Sequence, residues 1–130
     1  MKLFSKTVAT LIWAGLLMFI SCGSPTTEIE NLRVAYAERP LAVEDENPLF
    51  GWQMKSEVVG QQQKVYQIKV SKSDGNQVWD SGRVESGISN NISYKGEPLE
   101  PETAYTWNLT VWDAEEKTYN QESSFETGLM

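Results

Sequence analysis

Two acidic clusters hold the side chains best suited to chemistry in this sequence, Glu44-Asp45-Glu46 and Asp113-Ala114-Glu115-Glu116. Carboxylates about 5 to 9 Å apart act as acid and base, or as nucleophile, in the hydrolysis of glycosidic bonds. Neighbours on one loop do not give that arrangement, and loops at a domain tip rarely provide the burial that raises a carboxyl pKa. We therefore expect solvated loop charge at both clusters, with weak calcium binding as the alternative.

The composition removes most other catalytic machinery. The 130 residues contain no histidine and one cysteine, Cys22, so histidine-based triads, imidazole zinc sites and internal disulfides are excluded. Eleven Lys and Arg stand against eighteen Asp and Glu, and the resulting net charge of −7 repels phosphate backbones. We predict no catalytic residue, no cofactor, no metal ion and no nucleic-acid partner.

The segment Trp79-Asp80-Ser81-Gly82-Arg83 is a candidate binding site with two interpretations. Trp79 could lie against the apolar face of a sugar ring while Asp80 and Arg83 hydrogen-bond to its hydroxyls. In the simpler interpretation, Trp79 caps the edge of a β-sandwich and residues 80–82 form a turn through hydrogen bonds from side chain to backbone.

Trp112 is the second aromatic candidate. It lies on the opposite face of its predicted strand from Tyr105 and Trp107, so its ring points away from the core. Such a ring either offers a platform to a glycan or covers an interface with a neighbouring domain. We favour the interface.

The elements that position these residues are short strands. Apolar and polar residues alternate with a period of two, and no long stretch has helical spacing. Trp52 and Tyr105 are predicted core residues, and residues 99–105 are typical of a tyrosine corner. We predict an all-β, antiparallel sandwich of immunoglobulin-like or fibronectin type III-like kind with about seven strands, at residues 32–36, 50–54, 66–71, 78–80, 92–94, 104–113 and 123–127.

The N-terminal region has the pattern of an export signal. Lys2 and Lys6 precede an uncharged stretch at residues 8–20, which as a helix spans only about 20 Å of a hydrocarbon core about 30 Å thick. Residues 19–22 resemble a bacterial lipobox, although Phe19 replaces the usual leucine. We predict a helical lipoprotein signal peptide (1–21), a polar tether (22–30) and the sandwich (31–130). The alternatives are an uncleaved anchor and a plain secretory signal.

A family resemblance is carried by seven segments in order, at residues 48–52, 66–70, 78–84, 94–99, 105–109, 111–113 and 125–129. Trp-Asp-Ser-Gly at 79–82 and Phe-Glu-Thr-Gly-Leu at 125–129 are the most specific. The chain resembles the fibronectin type III-like domain at the N-terminal end of bacterial α-L-rhamnosidases, glycoside hydrolases that remove terminal rhamnose.

The resemblance implies an accessory role. In that family the catalytic carboxylates lie in a helical barrel downstream of this domain, and no position here matches their motifs. We expect no hydrolysis by this chain alone, a spacer that packs against neighbouring β-domains, and a fragment of a longer enzyme. Lipid on Cys22 would hold it in the bacterial cell envelope. The alternatives are a free-standing binding or adhesion module for plant or pectic glycans, and a small enzyme that uses acidic residues.

Overall fold

The computed structural model describes residues 23–130. Its regular elements are all strands over that range: β1 (Thr27–Val34), β2 (Leu49–Ser56), β3 (Gln63–Lys72), β4 (Gln77–Asp80), β5 (Val84–Glu85), β6 (Ile92–Ser93), β7 (Ala104–Asp113) and β8 (Thr118–Glu126). The predicted all-β class is confirmed.

The strands form two antiparallel sheets. One has the order β1-β2-β6, and the other has the order β4-β3-β7-β8 with β5 also paired to β3. β4 and β5 pair with successive parts of β3, around Val70 and Tyr66, so together they form one interrupted edge strand. Counted in this way the sandwich has seven strand positions, as the sequence predicts.

Alternating residues of both sheets form an aromatic core. On β7, Trp107, Leu109 and Val111 are fully buried, because each points between the sheets. Phe50 lies at the centre, with its ring centroid 4.8 Å from that of Trp107 and 6.0 Å from that of Phe125. Burial of such rings stabilises the fold by several kcal/mol each, at about 25 cal/mol per Å². No disulfide is needed to close this core.

The predicted tyrosine corner is confirmed. The backbone N–H of Glu100 donates a hydrogen bond of 2.8 Å to the phenol oxygen of Tyr105, which is itself buried. Thr127 Oγ1 donates to the Glu100 carbonyl and accepts from the Thr103 N–H at 3.0 Å. The segment at residues 100–103, which leads from β6 in one sheet to β7 in the other, is therefore held at both ends by these hydrogen bonds.

The start of the sandwich differs from the predicted boundary. Thr27, Glu28, Ile29 and Glu30 pair with β2, although the sequence places them in the tether. Burial of Ile29 and the 2.7 Å hydrogen bond between the hydroxyls of Thr27 and Ser56 explain why this polar segment joins the sheet. The predicted signal peptide and Cys22 lie outside the described residues. Between residues 23 and 130, no helix has the length and hydropathy to cross a membrane.

Candidate functional site

Trp79 is part of the core. Its side chain is 9% exposed, and its ring centroid lies 5.1 Å from that of Tyr94 and 5.7 Å from that of Phe50. Trp79 pairs with Val70 and points between the sheets with it. This placement argues against the sugar-stacking interpretation, because so little of the indole is exposed that a pyranose cannot lie flat on it.

The residues that follow Trp79 form a tight turn. Asp80 Oδ1 accepts hydrogen bonds of 2.8 Å from the Gly82 N–H and from Gln67 Nε2, and Ser81 Oγ accepts one of 2.8 Å from the Ile68 N–H. The bond from Gln67, followed by that from Gly82, lowers the pKa of Asp80. Gly82 has a φ of +64°, which a residue with a Cβ adopts only with strain. Asp80 is therefore a turn acceptor, as the simpler interpretation predicts.

Arg83 and Trp112 meet on the outer face of the five-stranded sheet. The guanidinium carbon of Arg83 lies 4.4 Å from the centroid of the Trp112 indole. Trp112 is half-buried and Arg83 is exposed. A cation–π contact at an exposed site contributes about 0.5 to 1 kcal/mol. The pair forms a small, partly apolar patch, and one face of the indole is already occupied by the guanidinium.

The predicted site residues thus divide between two surfaces. Trp112 points outward from the same sheet whose inner face holds Trp79, so the two indoles cannot contact one ligand. Trp79 and Asp80 line an open cleft of about 580 Å³ together with Val84 and Ile88. Arg83 belongs to the outer patch with Trp112.

Asp113 differs from the prediction of solvated loop charge, because its side chain is 3% exposed. Its Oδ1 accepts hydrogen bonds from the backbone N–H groups of Glu115 and Lys117, at 2.9 and 3.0 Å. Its Oδ2 accepts from the Tyr119 hydroxyl and from Gln61 Nε2, both at 3.0 Å. Burial raises the pKa of Asp113, but these hydrogen bonds together lower it further, so the pKa lies below its usual value. Asp113 organises the turn between β7 and β8.

The other acidic residues are surface groups. Asp45 accepts a hydrogen bond of 2.9 Å from the Asn47 N–H, and Glu44 accepts one of 2.8 Å from the Met130 N–H. Glu115 and Glu116 are exposed. Within residues 23–130, no group of three or more metal-ligating side chains comes together. Apart from Asp113, the acidic residues of the two clusters are therefore exposed turn and surface charges.

Gln63 has a structural role that its local sequence does not indicate. Trp52 Nε1 donates a hydrogen bond of 2.8 Å to Gln63 Oε1, and Gln63 Nε2 donates to the carbonyls of Ser86 and Ile88 at 3.0 and 2.9 Å. One buried amide therefore joins β2, β3 and the loop before β6. A run of glutamines at 61–63 gave no signal for this role, because side-chain type does not reveal a distant partner.

Fold and side-chain placement together define an immunoglobulin-like β-sandwich module with an aromatic core and polar turns. The family described as "Rha78A-like, N-terminal immunoglobulin domain" matches residues 29–130. The chain belongs to this family.

Its relatives are long enzymes. An α-L-rhamnosidase of Streptomyces avermitilis is 40% identical over 103 residues, which is 75% of this chain and 10% of that protein. One from Formosa agariphila is 36% identical over 99 residues, 70% of this chain and 10% of that protein. The crystal structure of the Streptomyces avermitilis enzyme complexed with L-rhamnose superposes with a TM-score of 0.75 at 37% identity, covering 81% of this chain and 11% of that one. The chain spans about a tenth of the curated relatives it matches.

Proposed function

We propose that this module is a non-catalytic accessory domain of an exported α-L-rhamnosidase-like glycoside hydrolase, in which it packs against a neighbouring β-domain. The observation that carries the proposal is the match of residues 29–130 to the N-terminal domain of this family, in relatives about ten times as long as the matched region. The role is to position the larger body of the enzyme rather than to act on the substrate.

Two surface features support a packing role. The Arg83–Trp112 patch combines the residue types that are enriched in protein interfaces. Leu41 and Leu129 are 73% and 75% exposed and line the same open cleft, beside the end of β8. Paired apolar side chains at this end of the sandwich would be covered by an adjacent domain.

The DNA after codon 130 gives the first test. A reading frame, direct or shifted, that encodes a large helical barrel is expected. A stop codon followed by unrelated sequence would instead favour a free-standing module. Incubation of the purified protein with a chromogenic α-L-rhamnoside tests the non-catalytic part, and appreciable release of rhamnose would contradict it.

A reconstitution experiment tests the packing surface. The protein would be mixed with the Streptomyces avermitilis rhamnosidase from which the matching N-terminal region has been deleted, and binding would be measured by co-elution. We expect Trp112→Ala to weaken binding about tenfold, while Val59→Ala, a change at a residue that is 99% exposed, leaves it unchanged. Equal binding by both variants would place the interface elsewhere.

Export and lipidation form a separate part of the proposal, supported by the charge and apolar pattern of residues 1–22. Several acyl chains would anchor the protein firmly, since one alone binds membranes only marginally. Metabolic labelling with a radioactive fatty acid in a bacterial host should label the protein, and Cys22→Ser should remove the label. Labelling that persists in Cys22→Ser would show that this cysteine is not the acceptor.

A further inference from the structure

A groove of about 380 Å³ with a mixed polar and apolar lining lies on the outer face of the three-stranded sheet. It is separate from the Arg83–Trp112 patch and shares Asn91 with the cleft beside Trp79. Gly51 of β2 forms part of its floor, and an added Cβ there would lie 3.4 Å from the Ser89 carbonyl oxygen. The loop before β6 is held over this floor because the Trp52 N–H donates a hydrogen bond of 2.9 Å to the same carbonyl. The absence of a side chain at Gly51 keeps the groove open.

Amide groups, a phenol and a guanidinium line the groove. Tyr36 donates a hydrogen bond of 3.1 Å to Asn91 Oδ1, which joins the two walls across 55 positions of sequence. Asn31 Nδ2 donates to Gln53 Oε1 at 2.6 Å. Amides carry both donors and acceptors, and this combination suits vicinal hydroxyl groups.

The charge of the groove is opposite to that of the protein. No carboxylate lines it, and Arg33 is its one charged side chain, in a chain of net charge −7. Between residues 23 and 130 the only salt bridge joins Lys72 to Glu100, so no described carboxylate neutralises Arg33. A planar guanidinium with all its donors available is well suited to a carboxylate ligand.

The backbone of the groove is also unusual. Asn31, Tyr36 and Asn91 have φ values of +53°, +65° and +53°, in the left-handed region. Asparagine tolerates this conformation, but for tyrosine it is costly, and such residues concentrate at ligand sites. At Tyr36 it turns the ring out of the core, so that the side chain is 73% exposed at the rim of the groove.

From these observations we infer that the groove binds a short acidic glycan. Arg33 pairs with the carboxylate of a uronic acid, the amides of Asn31, Gln53 and Asn91 hydrogen-bond to ring hydroxyls, and Tyr36 packs against the apolar face of the sugar. This binding does not depend on the proposed packing role, which uses different residues.

Isothermal titration calorimetry of the full chain in mild detergent tests the inference, with a galacturonic acid trisaccharide as ligand and the galactose trisaccharide as its neutral counterpart. We expect saturable binding of the acidic sugar, and binding of the neutral sugar at least tenfold weaker. Arg33→Gln should weaken binding of the acidic sugar about tenfold, because the charge-assisted hydrogen bonds are lost.

Gly51→Ala gives a second, steric test. Its methyl group fits at ordinary contact distance, so the fold is kept while the floor of the groove is filled, and affinity should fall at least tenfold. Gly87→Ala is the matched control, since its Cβ would lie 3.5 Å from the Gln63 carbonyl oxygen, outside the groove. Thermal unfolding would verify that all variants are folded.

Three results would overturn the inference: no saturable binding of the acidic sugar, equal affinity for the neutral one, or binding by Arg33→Gln and Gly51→Ala that equals binding by Gly87→Ala. None of these results bears on the reconstitution experiment with the shortened rhamnosidase, which depends on Trp112. Failure of the glycan site and failure of the accessory role are therefore distinguishable.

Discussion

The substitution Asp113→Asn tests whether a buried charge holds the turn between β7 and β8. The carboxylate accepts four hydrogen bonds and is 3% exposed. Asparagine has the same shape but no charge. Its side-chain oxygen still accepts from the two backbone N–H groups. Its NH₂ group replaces the carboxylate oxygen that accepts from the Tyr119 hydroxyl and Gln61.

The expected cost follows from these contacts. Hydrogen bonds to a charged group contribute about 1.5 to 3 kcal/mol each and neutral ones about 0.5 to 1.5 kcal/mol. The difference is about 1 to 1.5 kcal/mol per bond, so four weakened bonds would cost about 4 to 6 kcal/mol. Removing the buried charge also removes its desolvation cost, which offsets part of that loss. We expect a net loss of about 2 kcal/mol in the free energy of unfolding at pH 7. For a domain of about 100 residues this lowers Tm by roughly 10 °C.

The pH dependence gives the sharper assay. Because the folded pKa of Asp113 lies below its unfolded value, near 3.9, its contribution is complete above pH 5 and is lost as the pH falls through the folded pKa. Urea unfolding should show a gap between the free energies of unfolding of the native protein and of Asp113→Asn. This gap should close toward pH 2. The exposed Glu115→Gln is the control and should change stability by less than about 0.5 kcal/mol. A gap that stays constant down to pH 2, or no gap at pH 7, would refute the reasoning.

Three further substitutions test other structural assignments by thermal unfolding. Gln63→Leu should cost about 3 kcal/mol, because it leaves Trp52 Nε1 and two loop carbonyls without their buried partner, and a loss under 1 kcal/mol would show that water replaces the amide. Gly82→Ala should cost about 1 to 2 kcal/mol through its left-handed φ of +64°, whereas Gly87→Ala, with no such φ, should be nearly neutral; equal effects would contradict the strain argument. Gly96→Ala should cost 3 kcal/mol or more, since its Cβ would lie 2.5 Å from the Val78 carbonyl oxygen, and native stability would mean that this loop relaxes freely.

Local alternation predicts strands well where one face is buried and the other is solvated. β3 and β7 follow it closely, because every second residue points into the core. β8 starts at Thr118, earlier than predicted, since Tyr119 is the only aromatic or aliphatic side chain among its first five residues and one such residue gives no alternation. Alternation predicts a strand at residues 32–36, but β1 ends at Val34, because left-handed φ angles at Ala35 and Tyr36 turn the chain. Alternation of apolar and polar residues reflects the burial of one face of a strand. It therefore does not predict a strand or a turn that is solvated on both sides.

The candidate site was predicted less completely than the fold. The turn at residues 80–82 could be predicted from residue type, because Asp, Ser and Gly form such turns with local partners. The burial of Trp79 could not be predicted, since Val78 and Trp79 are both buried on an edge strand whose pairing shifts register. The contact of Arg83 with Trp112 depends on the register that brings β5 and β7 to either side of β3.

The sequence by itself determined the class of fold, the absence of histidine chemistry and the family to which the chain belongs, because period, composition and motif are properties of neighbouring residues. Only the tertiary structure decided that Asp113 is buried, that Gln63 joins the two sheets, and that Tyr36 and Asn91 face each other across a groove. These contacts join residues far apart in the chain. Strand pairing and sheet packing create them, and a side chain's type does not encode its distant neighbour.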